Sequence, residues 1–247
     1  MTGKHVWTFR YAFYWAKQNN RSMIIIFDLD GTLLNTIDDL GYACNYALEQ
    51  TGYPTHPIEA YPAKVGNGIN NLIRRALPET ERTEENILKV REFFVPYYNA
   101  HNCDYTHPYT GIPEVLAELK AQGHHLAVAS NKYQAATEKI VNHFFPGVFE
   151  VILGEREGVE RKPNPQIVFD ILNQSVSPQD DLSEQAVSQC NRTVLYIGDS
   201  LVDHETAKNA NAPFTACAWG FVSRERLAEA GIERIVNNPN EILDLLK

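Results

Sequence analysis

Residues 23–27, Met-Ile-Ile-Ile-Phe, form a short run that is continuously apolar and rich in β-branched side chains. Such a run has no polar face to give to water. It predicts a strand buried on both sides, as in the middle of a parallel sheet covered by helices. Two aspartates one residue apart, Asp28 and Asp30, end the run, and Gly31 and Thr32 follow. Residues i and i+2 of an extended segment project to the same side, and the crevice outside the carboxyl ends of parallel strands is where ligands bind. Two neighbouring carboxylates repel, and each is costly to desolvate. The pair therefore suits a site where a cation lies between them, or where one carries a proton and acts as an acid.

Two plainer readings compete. Asp30-Gly31 matches a hairpin turn, but the residues after it follow a helical period rather than that of a strand. Asp-x-Asp also opens calcium loops, which want Asp or Asn at the fifth position and Gly at the sixth; here those places hold Thr32 and Leu33.

Thr36 and Asp39 have capping-box spacing. Behind them Leu40, Ala43, Cys44, Ala47 and Leu48 make an amphipathic helical stripe. After a Pro- and Tyr-rich loop over 52–64, Ile69, Leu72, Ile73, Ala76 and Leu77 make a second stripe, stopped by Pro78. Ile87, Val90, Phe94 and Tyr98 make a third, with a bend or break expected at Pro96. From His107 onward helices and strands alternate. Pro113 opens a helix that Gly123 closes; strands are expected at 125–130, 149–153, 193–198 and 214–218, helices at 134–145, after Asn164-Pro165 and at 202–211, and a last helix capped by Asn240.

This alternation predicts an α/β fold, a doubly wound parallel sheet, with an all-helical block inserted after the first strand. Residues 23–36 and 107–247 make the core and residues 37–106 the inserted domain. Residues 1–22 are aromatic and basic but lack the apolar stretch of a signal peptide, and they read as an N-terminal extension with the working fold starting near Met23. Residues 175–192 read as a polar surface loop or ragged helix.

Composition narrows the function classes. A chain of 247 residues that is 44% hydrophobic can bury a sizeable core. A net charge of −9 argues against a nucleic-acid partner, and no stretch reaches the ~18 apolar residues of a membrane span. Cys44, Cys103, Cys190 and Cys217 are scattered and form no CxxC, which fits reduced thiols and a cytoplasmic location. The eight histidines show no ligand spacing, and nothing specifies an oligomeric state.

Three further strand ends carry candidate site residues. Ser130, followed by Asn131 and Lys132, lacks the flanking glycines of a G-x-S-x-G nucleophile and suits a phosphate ligand near a helix N-terminus. Lys162 stands before Pro163-Asn164-Pro165, in a stiff segment that leads into a helix. Asp199 and Asp203 flank another helix start, where carboxylates also serve as caps; that alternative is stronger for Asp203 than for Asp199. Four carboxylates against one lysine leave a net −3, which would repel a phosphate dianion; a divalent cation brings it to −1. All-oxygen ligands favour Mg2+ over zinc or copper, and a carboxylate that attacks phosphorus gives an aspartyl-phosphate.

Residues 28–32 (DLDGT), Ser130, Lys162 and residues 198–203 (GDSLVD), in this order and on these elements, resemble the four motifs of the haloacid dehalogenase superfamily. The helical insert is similar to that family's C1-type cap on a Rossmann-like core. Residues 65–79, 126–132, 154–165 and Trp219-Gly220 resemble, more narrowly, phosphoglycolate phosphatases. The resemblance implies a Mg2+-dependent phosphatase of a small phosphorylated metabolite, 2-phosphoglycolate first. Asp28 would be the nucleophile and Asp30 the acid and base. Ser130, Asn131 and Lys162 would hold the phosphoryl oxygens, helped by the amides of Leu29, Asp30 and Asn131. Asp28, Asp199 and the Asp30 carbonyl would hold the metal, with Asp203 in support, while Thr32 would brace the loop. Gly66, Asn67 and Gly68 would form the cap loop facing the core. Arg74 and Arg75 are set either to meet a substrate carboxylate or to form a solvated helix face, and Trp219 to pack near the crevice or in the core. A sugar phosphomutase of the β-phosphoglucomutase type and a pyrophosphatase share the aspartate pair and remain alternatives; a non-catalytic binding protein would not need the full set of side chains.

Overall fold

The structure, a computed structural model, describes residues 22–175 and 194–246. The expectations for the N-terminal extension and the polar segment before Thr193 fall outside the described residues, apart from their last and first members. Six strands form one sheet: β1 (Ile24–Phe27), β4 (His125–Tyr133), β5 (Val151–Glu155), β6 (Val194–Gly198), β7 (Phe214–Cys217) and β8 (Ile235–Val236). Their order is β5-β4-β1-β6-β7-β8, and every neighbouring pair is parallel.

Continuous apolarity in β1 has a direct cause. Ile25 and Phe27 feed the buried cluster on one face of the sheet, and Ile24 and Ile26 feed the cluster on the other. Phe27 pairs with Val128 on one side and Ile197 on the other. The chain therefore leaves the centre of the sheet at Asp28, level with Ala129 of β4 and with Gly198, the last residue of β6. Strands β4 and β5 run to Tyr133 and Glu155, past the expected Ser130 and Leu153.

Between two short antiparallel strands, β2 (Leu34–Asn35) and β3 (His107–Pro108), lie the helices α1 (Ile37–Thr51), α2 (Ile69–Ala76) and α3 (Glu84–His101). The predicted stripes on α1 (Leu40, Ala43, Cys44, Ala47 and Leu48) and α3 (Ile87, Val90, Phe94 and Tyr98) are buried; on α2 Leu72, Ile73 and Ala76 are buried, Ile69 is half-buried, and Leu77 is buried just past the helix end. The remaining helices, α4 (Ile112–Ala121), α5 (Gln134–Phe144), α6 (Gln166–Ser175), α7 (Leu201–Asn209), α8 (Arg224–Glu229) and α9 (Asn240–Leu246), follow the strands in alternation. Among the described residues no helix is long and apolar enough to cross a membrane.

Three local expectations are corrected. Thr36 makes no cap bond to α1; its hydroxyl donates to Asp30 Oδ1 at 2.6 Å. Asp39 instead accepts the backbone N–H groups of Tyr105 and Thr106 at 3.0 and 2.9 Å, which ties the end of the helical block to its start. Of the bend or break expected at Pro96, the break is absent: helix α3 continues through it, and Pro96 and Glu92, whose carbonyl it leaves without a helical donor, both lie on the exposed side. Asn240 is the first residue of α9 rather than its cap.

Candidate active site

Asp28 keeps its N–H in the sheet, on the Ile197 carbonyl at 2.9 Å, while its side chain stands beyond the strand end. The chain then folds back so that the amides of Leu33 and Leu34 reach the Leu29 carbonyl. Gly31 makes this turn with φ +85°, and a Cβ there would lie 2.4 Å from Asp199 Oδ2. Gly220 is needed for space alone: a Cβ on it would lie 2.3 Å from Asp199 Cβ and 2.4 Å from the Gly31 carbonyl. The first loop and the loop after β7 thus close on Asp199 from two sides.

Asp28, Asp199 and Asp203 are all buried, and each offers a carboxylate oxygen within 4.8 Å of the others. Lys162 Nζ enters this group, 2.9 Å from Asp28 Oδ1, 2.7 Å from Asp203 Oδ1 and 2.9 Å from the Ala129 carbonyl next to Ser130. It also donates to the Tyr196 hydroxyl at 3.3 Å, which in turn donates to Asp203 Oδ1 at 3.2 Å. Asp199 accepts the Thr32 hydroxyl at 3.1 Å and the Phe221 N–H at 2.7 Å. Trp219 Nε1 donates to the Thr32 carbonyl at 3.0 Å. Thr32 therefore braces the loop through both its hydroxyl and its carbonyl, and Trp219 packs on the core while it touches the site.

The two oxygens of Asp203 have different partners, and the cap reading is one of them. Its Oδ2 accepts the Ser200 N–H at 3.2 Å, completing a capping box at the start of α7, while its Oδ1 faces Lys162. Asn131 also has two roles to divide. Its side chain clasps the backbone of Lys162, accepting the N–H at 2.9 Å and donating to the carbonyl at 3.1 Å, so the side chain is taken up in placing Lys162. The Leu29 amide is engaged too, on Asp28 Oδ1 at 2.7 Å. Ser130 is buried at the end of the apolar part of β4, and its Oγ accepts the Lys132 N–H at 3.1 Å.

Asp30 stands apart from the three-carboxylate cluster. Its Oδ1 accepts from Thr36 and pairs with Lys132 Nζ at 3.1 Å. Lys132 is itself buried and donates to the Tyr98 hydroxyl at 2.7 Å. Neither Lys132 nor Tyr196 is among the site residues expected from the sequence. Lys132 had a signal, a lysine two residues past a strand-end serine, whereas Tyr196 reads only as strand apolarity.

Burial pushes the Asp28 carboxyl well above the usual carboxylate range, reinforced by Asp203 and opposed by Lys162. Burial, then Asp203, pushes Asp199 up to about 7. For both lysines burial favours the neutral form, but the partners outweigh it: Asp203 and Asp28 hold Lys162, and Asp30 and Tyr98 hold Lys132, above the ordinary lysine value. Lys132 also corrects the charge count. Four carboxylates against two ammonium groups leave −2 rather than −3. A buried, oxygen-only donor set with this negative excess fits a divalent cation.

The sequence profile of the haloacid dehalogenase-like hydrolases matches residues 25–217, which hold every one of these carboxylates and lysines. The chain belongs to this family. Within the haloacid dehalogenase-like hydrolases it is a phosphatase, a phosphoric monoester hydrolase by class. Its relatives include the phosphoglycolate phosphatases of Aquifex aeolicus, 31% identical over 81% of this chain and 86% of that protein, and of Vibrio parahaemolyticus, 30% identical over 90% and 95%. Among solved structures, one from Lactobacillus delbrueckii subsp. bulgaricus is 31% identical with a TM-score of 0.81, over 92% of this chain and 98% of that one. A predicted phosphoglycolate phosphatase from Haemophilus somnus is 26% identical with a TM-score of 0.78, over the same shares.

In this hydrolase the loop Gly66-Asn67-Gly68 reaches the strand ends. The Asn67 carbonyl lies 3.5 Å from Arg161 Nη1, and a Cβ on Gly68 would come within 2.7 Å of that nitrogen and 3.7 Å of the Asn131 carbonyl. Arg75 Nη1 holds the loop by donating to the carbonyls of Lys64, Val65 and Gly66 at 2.9, 3.1 and 3.0 Å. Arg74 pairs with Glu84 and Asn71. Both guanidinium groups are thus engaged within the helical block, Arg75 as a brace for the loop.

Proposed function

We propose that this hydrolase is a Mg2+-dependent phosphatase of small phosphomonoesters, 2-phosphoglycolate first, working through an aspartyl-phosphate on Asp28 in the cytoplasm. The observation that carries the reading is the buried Asp28 side chain held by Lys162 beside Asp199 and Asp203, with Asp30 two residues on, bound to a separate ammonium. The named substrate comes from the curated relatives. The location is supported by Cys44, Cys103 and Cys217, which are free thiols.

Asp28, Asp199 and the Asp30 carbonyl would hold Mg2+, with Asp203 beside them. Bound there, the metal would supply the positive charge that lets a phosphoryl dianion approach Asp28, Asp199 and Asp203, with Asp30 entering the step protonated. Asp28 attacks phosphorus, forming an oxygen–phosphorus bond as the bond to the ester oxygen breaks, and Asp30 gives that oxygen its proton. Asp30, now ionised, takes a proton from water, and the water attacks the acyl phosphate to release phosphate and restore Asp28. Lys162, the Ser130 hydroxyl and the Asn131 amide neutralise and orient the phosphoryl oxygens. Residues 37–106 act as a cap domain whose loop Gly66-Asn67-Gly68 excludes water and meets the leaving group.

The test is phosphate release from a panel containing 2-phosphoglycolate, glucose 1-phosphate and pyrophosphate, with Mg2+ and with EDTA. The reading predicts Mg2+-dependent release, fastest from 2-phosphoglycolate. Isomerisation of glucose 1-phosphate without release of phosphate, or no release from any ester, would contradict it.

A further inference from the structure

Lys132 is a buried lysine outside the four motifs, and it joins three parts of the chain. Its Nζ lies 3.1 Å from Asp30 Oδ1, donates to the Tyr98 hydroxyl of α3 at 2.7 Å, and stands 4.8 Å from the centre of the Tyr98 ring. Its backbone is fixed as well. The N–H is on Ser130 Oγ and the carbonyl accepts the Thr137 hydroxyl, each at 3.1 Å. The same carbonyl leaves no room for a side chain at position 154, where a Cβ would lie 2.5 Å from it. Tyr98 is in turn buried and stacked on Phe94, with ring centres 5.4 Å apart.

We propose that Lys132, held by Tyr98, is a positioning residue for Asp30, fixing one carboxyl oxygen so that the other is aimed at the reacting ester oxygen and water.

The terminal torsion of an aspartate is broad and roughly two-fold, so a carboxyl group without fixed partners swings. Here Oδ1 takes both donors, Thr36 at 2.6 Å and Lys132 at 3.1 Å, and among the described residues no hydrogen bond goes to Oδ2. Oδ2 is thus the atom left to give and take the proton. Stability alone is a weak reason for such a group, because well-packed apolar residues often replace a buried ion pair at no cost. The Tyr98 hydroxyl comes from the helical block, and it reaches the ammonium only while α3 lies against the end of β4. The acid/base geometry is therefore completed by a cap helix.

This inference rests on the phosphatase reading, and leaving-group chemistry separates it from a merely structural role. An alkyl phosphate needs its departing oxygen protonated; p-nitrophenyl phosphate needs this far less. In the full chain with Mg2+, Lys132→Met should lower kcat/KM for 2-phosphoglycolate roughly 100-fold, the scale of a misplaced acid, with a drop several times smaller for p-nitrophenyl phosphate. Tyr98→Phe, which keeps the stacked ring, should show the same bias at about a tenth of that size. Thr36→Val, which removes the other donor on Oδ1, should bias the ratio in the same direction, and it carries the test with Tyr98→Phe if Lys132→Met does not fold. Equal losses on both esters, or no loss on the alkyl ester, would overturn the proposal. A wild type that releases phosphate from neither ester would instead overturn the phosphatase reading, and this proposal with it.

Discussion

The ammonium of Lys162 lies 2.7 Å from Asp203 Oδ1, and the same nitrogen is 2.9 Å from Asp28 Oδ1. One side chain thus links the carboxylate that starts α7 to the one that ends β1. Removing one partner of a buried pair leaves the other charge uncompensated, at a cost of about 3–5 kcal/mol. Lys162→Met should therefore destabilise the protein by several kcal/mol in EDTA, read from urea unfolding, and eliminate phosphate release. Wild-type stability in EDTA would show that the carboxylates do not depend on this lysine.

Asp199 responds in the opposite sense. It is 1% exposed, and burial pushes its carboxyl up to about 7. Asparagine can still accept from the Phe221 N–H and donate to the Thr32 hydroxyl. Asp199→Asn should raise the thermal midpoint in EDTA at pH 8, because a neutral amide escapes the cost of ionising a buried carboxyl, a gain of a few kcal/mol at about 1.4 kcal/mol per pH unit. Added Mg2+ should then stabilise the wild type and barely move the variant. Equal Mg2+ responses would remove Asp199 from the metal site.

Gly220→Ala adds only a methyl group, but that methyl would sit 2.3 Å from Asp199 Cβ. Overpacking of this kind costs about 1–3 kcal/mol. The expected result is a folded protein with a lower melting temperature and a lost Mg2+-induced rise. An unchanged Mg2+ response would mean that the loop after β7 does not define the site.

The sheet and the site differ in how much of them the sequence exposes. Strand β1 is legible because it must be apolar on both faces, and Asp28, Asp30, Lys162 and Asp199 are legible because each ends or follows such a strand. Lys132 was hidden because its partner Tyr98 lies on a helix of the inserted block, where an aromatic at helical spacing reads as core. It is core by burial, and its hydroxyl does the additional work of holding Lys132. Thr36 and Asp39 matched a capping box by spacing, but tertiary partners won both: Asp30 took the hydroxyl, and the Tyr105 and Thr106 amides took the carboxylate. Arg75 illustrates the same limit, since spacing places it on a helix face without saying that three loop carbonyls wait for it.

His124 supplies a pH signature away from the site. Its Nδ1 lies 3.1 Å from the Met23 N–H, and burial, then His125, pushes it below the ordinary histidine value of 6.5. A lowered folded value means that the unfolded chain binds the proton more readily. Its contribution is therefore present above pH 6.5 and is lost as pH falls through the folded value. His124→Asn, which keeps an acceptor near Met23, should flatten the fall in stability below pH 6.5 relative to the wild type. Parallel wild-type and variant curves would contradict this.

In the proposed cycle Asp28 carries the phosphoryl group. With labelled p-nitrophenyl phosphate, whose departing oxygen needs little protonation, Asp30→Asn should slow hydrolysis of that intermediate more than its formation, so brief mixing and an acid quench should leave label on the protein. Hydroxylamine-labile label is expected only on the peptide containing Asp28, and none, with no turnover, once Asp28→Asn is added or made alone. Wild-type turnover by Asp28→Asn, or label on any other residue, would contradict it.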